Sequence, residues 1–222
     1  MLDEQEVARM KVALLGHPDC RFAAAANLAL DTGMRRGEPC ALRWCDVNLD
    51  ERTIRVRRAL AEAKTTGTYR GETLEEKLPK SNRSNRNITI PEATVELLHS
   101  YKQMQSYRLL YNDIEQSEET PVFCNELAEL YWPSKFTSDC SRFAKHRGFA
   151  VTLHGLRHTH ASILLVKGVP IYHVSSRLGH ENIEITYKAY SHFIPGDDGG
   201  SSDTWSDLAT LPEGAIALLP AA

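Results

Sequence analysis

The sequence predicts an α+β fold, mainly α-helical with a small antiparallel β-sheet. Three observations carry that expectation. Helix starts and stops recur along the chain: Asp3 with Glu6 three residues on, Pro91 leading into Glu92-Ala93, and Gly33, Gly168 and Gly179 each closing an apolar stretch. Strand-like alternation is confined mainly to residues 47–90. The 222 residues, 42% hydrophobic and 25% charged, suffice for one sizeable core.

In order, the Asp3–Glu6 capping box opens a helix to about Leu15, broken by Gly16-His17-Pro18. The alanine-rich stretch from Asp19 to Asp31 is a second helix, expected to be buried, and a short one follows at Arg36–Leu42. Val47–Asp50 leads into Thr53–Arg57, a strand with one basic face. Ala61–Leu78 is polar and irregular, a long connection for a compact domain. Asn87–Ile90 is the second strand, and Pro91 opens a long amphipathic helix to about Tyr111. An acidic link at Asp113–Glu119 precedes a short strand at Val122–Cys124 and a helix at Ser134–Lys145. Further helices are expected from His154 to Gly168, from Ile171 to Leu178, and from Ile183 to about Ser191. Gly196–Ser202 reads as a linker, and residues 204–219 as a weakly apolar segment able to dock as a terminal helix. The expected organisation is one domain over residues 1–195 and an acidic C-terminal tail over 196–222.

Composition and charge narrow the function classes. No run of about 18 apolar residues occurs, so no membrane span is expected. The acidic start, Met1-Leu2-Asp3-Glu4-Gln5-Glu6, lacks a signal-peptide pattern. Cys20, Cys40, Cys45, Cys124 and Cys140 are odd in number and form no CxxC pair, which reads as reduced thiols in a cytoplasmic protein. The net charge of −3 argues against nucleic acid if taken whole, but the charge is uneven. The tail carries Asp197, Asp198, Asp203, Asp207 and Glu213 and no basic residue, while basic residues outnumber acidic ones 13 to 8 between residues 35 and 86. DNA binding therefore stays open.

The densest chemistry lies in His154-Gly155-Leu156-Arg157-His158-Thr159-His160. His154, Arg157 and His158 stand at i, i+3 and i+4, so on a helix they share one face. A permanent cation beside a proton-transfer group suits negative charge developing on phosphate. The same histidines offer no HExxH pattern, no cysteine pair nearby and no obvious third ligand, so no metal site is expected. Three further stretches carry unusual residues: Asp31-Thr-Gly-Met-Arg35-Arg36-Gly-Glu38-Pro39, Leu78-Pro-Lys80-Ser-Asn-Arg83-Ser-Asn-Arg86, and Leu178-Gly-His180 with Tyr190-Ser-His192 ten residues on.

Together, in this order over residues 31–192, the four stretches resemble the catalytic domain of the tyrosine recombinases, the phage integrase family. The resemblance implies that family's DNA breaking-rejoining fold over residues 1–195. It also implies a site-specific DNA recombinase or integrase that cuts without metal or cofactor and passes through a 3′-phosphotyrosyl intermediate. In that scheme Tyr190 is the nucleophile, and Arg35 and Arg157 hold the non-bridging phosphate oxygens. His154 is the base or oxyanion orienter, Lys80 protonates the leaving 5′ oxygen, and His180 hydrogen-bonds the phosphate. Glu38 orients an arginine, His158 supports the site, and Arg36, Arg83 and Arg86 are expected on DNA phosphates.

The residue chemistry agrees. In phosphoryl transfer, stabilising charge on the non-bridging oxygens and aligning attack supply much of the catalysis. Guanidiniums do this through paired hydrogen bonds. Metal-dependent nucleases need clustered carboxylates, and no paired-carboxylate motif stands out here. Tyr187 and Tyr190 share a helix face by spacing. The Tyr-Ser-His context and the step from His180 select Tyr190 and leave Tyr187 to packing. Lys64 and Lys77 compete with Lys80, which the Lys-Ser-x-x-Ser-x-Arg run favours.

The partners implied are double-stranded DNA, further copies of the chain assembling on DNA as a tetrameric synapse, and accessory DNA-bending proteins. A monomer is expected in solution. Family members usually place a helical DNA-binding domain ahead of the catalytic one. Here the pattern begins almost at residue 1, so that domain is expected to be absent, the chain being part of a longer protein or a short member. Pro39 departs from the family's usual apolar helix residue but is tolerable in a first turn. The acidic tail is expected to shield the basic face. The rival readings are a type IB topoisomerase-like nicking-closing enzyme and a catalytically silent DNA-binding regulator. The filled constellation speaks against the second.

Overall fold

Asp3 starts the first helix as the sequence requires. Its side chain accepts from the Glu6 amide at 2.7 Å, and its own amide donates to Glu6 Oε2 at 3.0 Å. In the computed structural model, which describes residues 1–64, 72–77 and 85–194, this helix is α1, Glu4–Leu15. Residues 65–71, 78–84 and 195–222 lie outside the described residues, and with them the acidic tail, Lys80 and Arg83. Helix α2, Cys20–Thr32, is capped by the Asp19 side chain and closed by Gly33 at φ 66°. Phe22 through Leu30 are all buried. An alanine-rich helix has a slim cylinder that neighbours can approach from every side, and α2 packs against five other helices. It is the axis of the fold.

Helix α3, Gly37–Ala41, and a 3-10 turn at Trp44–Asp46 lead to β1, Val47–Asn48. Strands β2, Thr53–Val56, and β5, Arg86–Thr89, complete a three-stranded antiparallel sheet in the order β1-β2-β5. Val47, Ile54 and Ile88 stand opposite one another in register, placing the apolar face on the core.

The segment read as an irregular connection is instead a two-stranded ribbon. Strand β3, Ala59–Lys64, pairs antiparallel with β4, Glu72–Lys77, from Ala59↔Lys77 to Lys64↔Glu72. Its alanines and glutamates carry no clear apolar alternation, because only Leu60 and, in part, Leu74 reach the core. Other contacts hold it. Arg43 reaches Glu76 at 3.0 Å, and Leu60 lies against α3 where a Cβ on Gly37 would stand 2.2 Å from the Leu60 carbonyl oxygen. Only glycine admits that approach.

Helix α4, Glu92–Leu110, follows Pro91. The strand expected at Val122–Cys124 forms only isolated bridges, Arg43 with Pro121 and Cys124 with Leu130. Its backbone is satisfied otherwise: the Val122 amide donates to the Leu42 carbonyl at 2.8 Å, and Gln105 Nε2 donates to the Val122 carbonyl at 2.8 Å.

Four helices finish the described chain: α5, Pro133–Arg147; α6, Leu153–Val166; α7, Ile171–Leu178; and α8, Ile183–Tyr190. The main core joins α1–α5 to the sheet around Phe22, Trp44, Phe123 and Phe136. A smaller cluster, Ala161, Leu165, Val174, Leu178 and Tyr190, holds α6, α7 and α8 together. Burying such side chains contributes about 1.5–3 kcal/mol each. No helix among the described residues is long and apolar enough to cross a membrane.

Candidate active site

The last carbonyls of a helix lack partners within it. At α7 every one is accounted for. Gly179 in the left-handed region (φ 67°) turns the chain so that the His180 and Gly179 amides take the Ser175 and Ser176 carbonyls, at 3.1 and 3.0 Å. The next three carbonyls receive three arginines. Arg86 Nε donates to the Arg177 carbonyl at 2.7 Å, Arg157 Nη2 to Leu178 at 2.9 Å, and Arg35 Nη2 to Gly179 at 2.7 Å. Cations suit this negative end of the helix dipole. Three guanidiniums from the α2–α3 turn, β5 and α6 thus meet at one point, just ahead of His180.

Glu38 sits among them. It accepts from Arg86 through both oxygens, at 3.0 and 2.8 Å, and from the Arg35 amide at 2.8 Å and Arg35 Nη1 at 3.2 Å. Burial opposes its ionisation, but Arg86 and Arg35 outweigh that and hold the carboxyl below its usual range. Arg157 also donates to the Gly33 carbonyl at 2.6 Å and is almost fully buried. Burial, with Arg35 nearby, lowers its pKa to about 10, so it remains a cation at neutral pH. Arg35 keeps 43% of its side chain exposed and is open to a ligand. With three guanidiniums and one carboxylate, this cluster is positive overall and suited to an anion.

His180 is half-buried, and its Nδ1 lies 2.7 Å from the Thr186 hydroxyl. Burial and the neighbouring guanidiniums push its pKa down to about 4, so it is neutral at pH 7. On α6, His154 is exposed and its ring meets His158 edge-on at 4.6 Å. His158 in turn lies 5.3 Å from the Tyr190 ring. Burial, then His154 and Arg157, lower the His158 pKa. Tyr190 is 2% exposed, packed in the small cluster, and burial raises its pKa against the pull of Arg157.

The structure therefore brings Arg35, Glu38, Arg157 and His180 together, with His154 and His158 on the adjoining face of α6 and Tyr190, at the end of α8, against His158. Arg36 is exposed. Two expectations are corrected. Arg86 is not a surface contact for DNA: its side chain is 5% exposed and its guanidinium is engaged by Glu38 and α7. The alternation of β5 turns it inward with Ile88. Tyr187 is not a packing residue but is 59% exposed. The inward stripe of α8 is Thr186 and Tyr190, four apart, which rotates Tyr187 out to solvent. Of the rival lysines, Lys77 is exposed and lies 3.8 Å from Glu75. Sequence reasoning passed over Arg177 and Thr186. Their only signal was position, beside Leu178-Gly179-His180 and one helical turn before Tyr190.

The phage integrase family model matches residues 1–195. The chain belongs to that family. It is 31% identical over 215 residues to a "Tyrosine recombinase XerC-like" protein of Caldanaerobacter subterraneus subsp. tengcongensis, covering 92% of this chain and 53% of that one. The "ICEBs1 integrase" of Bacillus subtilis is 26% identical over 203 residues, covering 89% and 52%. The chain thus spans about half the length of these curated relatives. Among solved structures, the Tn1549 transposon integrase in complex with transposon right end DNA superposes with a TM-score of 0.72 at 18% identity, over 94% of this chain and 66% of that one. The catalytic domain of bacteriophage HP1 integrase superposes with a TM-score of 0.58 at 17% identity, over 95% of both chains. The fold is that of the tyrosine recombinase catalytic domain.

Proposed function

We propose that this integrase-family domain acts as a site-specific recombinase, cutting and rejoining double-stranded DNA through Tyr190. The observation that carries the reading is the meeting of Arg35, Arg157 and neutral His180 at the end of α7. A scissile phosphate placed there faces Arg35 and Arg157 as charge partners for its non-bridging oxygens. In the tautomer where the Thr186 hydroxyl donates to His180 Nδ1, Nε2–H is left as a third donor. Tyr190 Oη attacks phosphorus, and the bond to the 5′ oxygen breaks. The phenolic proton leaves toward His154 through His158, and Lys80 protonates the departing 5′ oxygen. A 3′-phosphotyrosyl bond and a 5′-hydroxyl result. The ester retains the phosphodiester's energy, so a second 5′-hydroxyl can reverse the step without a cofactor. Tyr190 must first become accessible, since in this arrangement it is buried among α6 and α7 side chains.

The DNA contacts proposed besides the site are Arg36 and Arg83. Assembly into a tetrameric synapse, accessory DNA-bending proteins and a cytoplasmic location complete the proposal. The names and DNA-bound structures of the relatives support recombination and the DNA partner.

The test is covalent trapping on nicked duplexes that lose the 5′ fragment after cleavage, in excess chelator, resolved on a denaturing gel. A slow protein–DNA band that Tyr190→Phe abolishes and Tyr187→Phe retains is expected. A band lost in Tyr187→Phe, or one that needs divalent metal, would sink the assignment. Relaxation of supercoiled DNA without exchange between two sites would favour the topoisomerase-like chemistry.

A further inference from the structure

We propose that Arg177, held by His160, is a positioning residue that sets the four site-bearing segments against one another. This rests on the reading of the site as a phosphoryl-transfer centre. Arg177 projects from the last turn of α7. Its Nε donates to His160 Nε2 at 2.9 Å, on the helix that carries Arg157. Its Nη2 donates to the Asp31 carbonyl at 3.0 Å, at the end of α2 and four residues before Arg35. The same nitrogen donates to the Thr89 carbonyl at 3.0 Å, on the strand that carries Arg86. One side chain on α7 therefore fastens the end of α2, β5 and α6. The Arg177 main chain opens the run of three carbonyls that Arg86, Arg157 and Arg35 grip, and His180 follows three residues later.

His160 makes this arrangement specific. A histidine that accepts from an arginine must be neutral. Burial, with Arg177 beside it, pushes the His160 pKa down to about 3, and the ring also hydrogen-bonds the Leu30 backbone. The acceptor is thus permanent at any working pH. The ring also underlies the turn to Arg35: a Cβ on Gly33 would stand 2.9 Å from it and 2.8 Å from Leu178. A planar fork with several donors can bind three acceptors at fixed angles, which a lysine cannot. A misplacement of about 1 Å at a reacting centre can cost about 100-fold in rate.

The test compares His160→Phe, which deletes the acceptor, with His160→Gln, which restores one, and Arg177→Lys, which keeps only the charge. Single-turnover cleavage of the nicked duplex is expected to fall about 10- to 100-fold in His160→Phe and Arg177→Lys. The DNA dissociation constant is expected to stay within about twofold of the parent, and His160→Gln to recover most of the rate. A second arm reads the free protein: the NMR Nε–Hε signals of Arg35, Arg86 and Arg157 are expected to move in His160→Phe and return in His160→Gln. Unchanged signals in folded His160→Phe would overturn the proposal whether or not the parent cleaves, so its failure is separable from failure of the recombinase reading. Parental cleavage rates in both His160→Phe and Arg177→Lys, or a loss of affinity matching the loss of rate, would overturn it equally. If His160→Phe does not fold, Arg177→Lys carries both arms.

Discussion

Glu38 and Arg86 form a two-pronged ion pair inside the protein, each side chain only 5% exposed. Breaking one partner leaves the other charge buried, at a cost of about 3–5 kcal/mol. Glu38→Gln and Arg86→Met are each expected to lose about that much in urea unfolding, and the double substitution less than the sum. Glu38 also sets a pH dependence. Its folded pKa lies below the unfolded value, so its contribution is complete above the ordinary carboxylate range and is lost as pH falls through the lowered folded value. In Glu38→Gln that part of the acid slope should vanish. An acid slope unchanged from the parent would refute it.

His180 titrates in the opposite sense to a salt-bridged histidine. Its pKa of about 4 lies below the free value, so the unfolded chain binds more protons between those two limits. Stability from this group is therefore full above pH 6.5 and declines as pH falls toward about 4. NMR titration of the His180 ring should show the neutral form throughout pH 6–8. A midpoint near 6.5 would contradict the burial and guanidinium argument.

Arg157→Lys should be much more damaging than its charge conservation suggests. Arg157 reaches the Gly33 and Leu178 carbonyls from two separate nitrogens of a planar fork, and the single ammonium nitrogen of a lysine cannot rebuild that geometry. Cleavage rate is expected to fall about 100- to 1,000-fold, comparable with deletion of one oxyanion donor. Trapping kinetics on nicked DNA measure it, and a rate within fivefold of the parent would contradict the clamp.

Gly37→Ala tests the seating of the ribbon. The added methyl would meet the Leu60 carbonyl oxygen at 2.2 Å, a main-chain atom with no rotamer to move it aside. A loss of about 1–3 kcal/mol is expected from overpacking, read as a lowered midpoint in thermal unfolding. A neutral result would mean that β3 does not lie against α3.

How much was legible in the sequence depended on where the signal was local. The capping box at Asp3, the glycine stops at Gly33 and Gly179, and the alanine-rich α2 are short-range chemistry, and the helices fall within a residue or two of expectation. The β3–β4 ribbon was not legible, because only Leu60 and Leu74 mark its inner face and the rest of its support comes from α3 and Arg43. Arg86 looked like one basic residue in a basic run. Only the register of β5 against β2 reveals that it turns inward, toward a carboxylate 48 residues away. Arg177 and His160 were invisible as a pair for the same reason: 17 residues and a turn separate them.

The arginines at the end of α7 grip main-chain oxygens, and those are present whatever side chains occupy positions 177 to 179. Substitution there cannot erase an acceptor. What the grip reads is the length of the helix and the place where it stops. A single residue inserted into α7 would swing its end through about 100° and dislodge all three arginines together. Side chains at 177 to 179 have other duties, from the Arg177 fork to the close approach of Arg86 on Gly179, but this grip on the main chain answers to the count of residues before it.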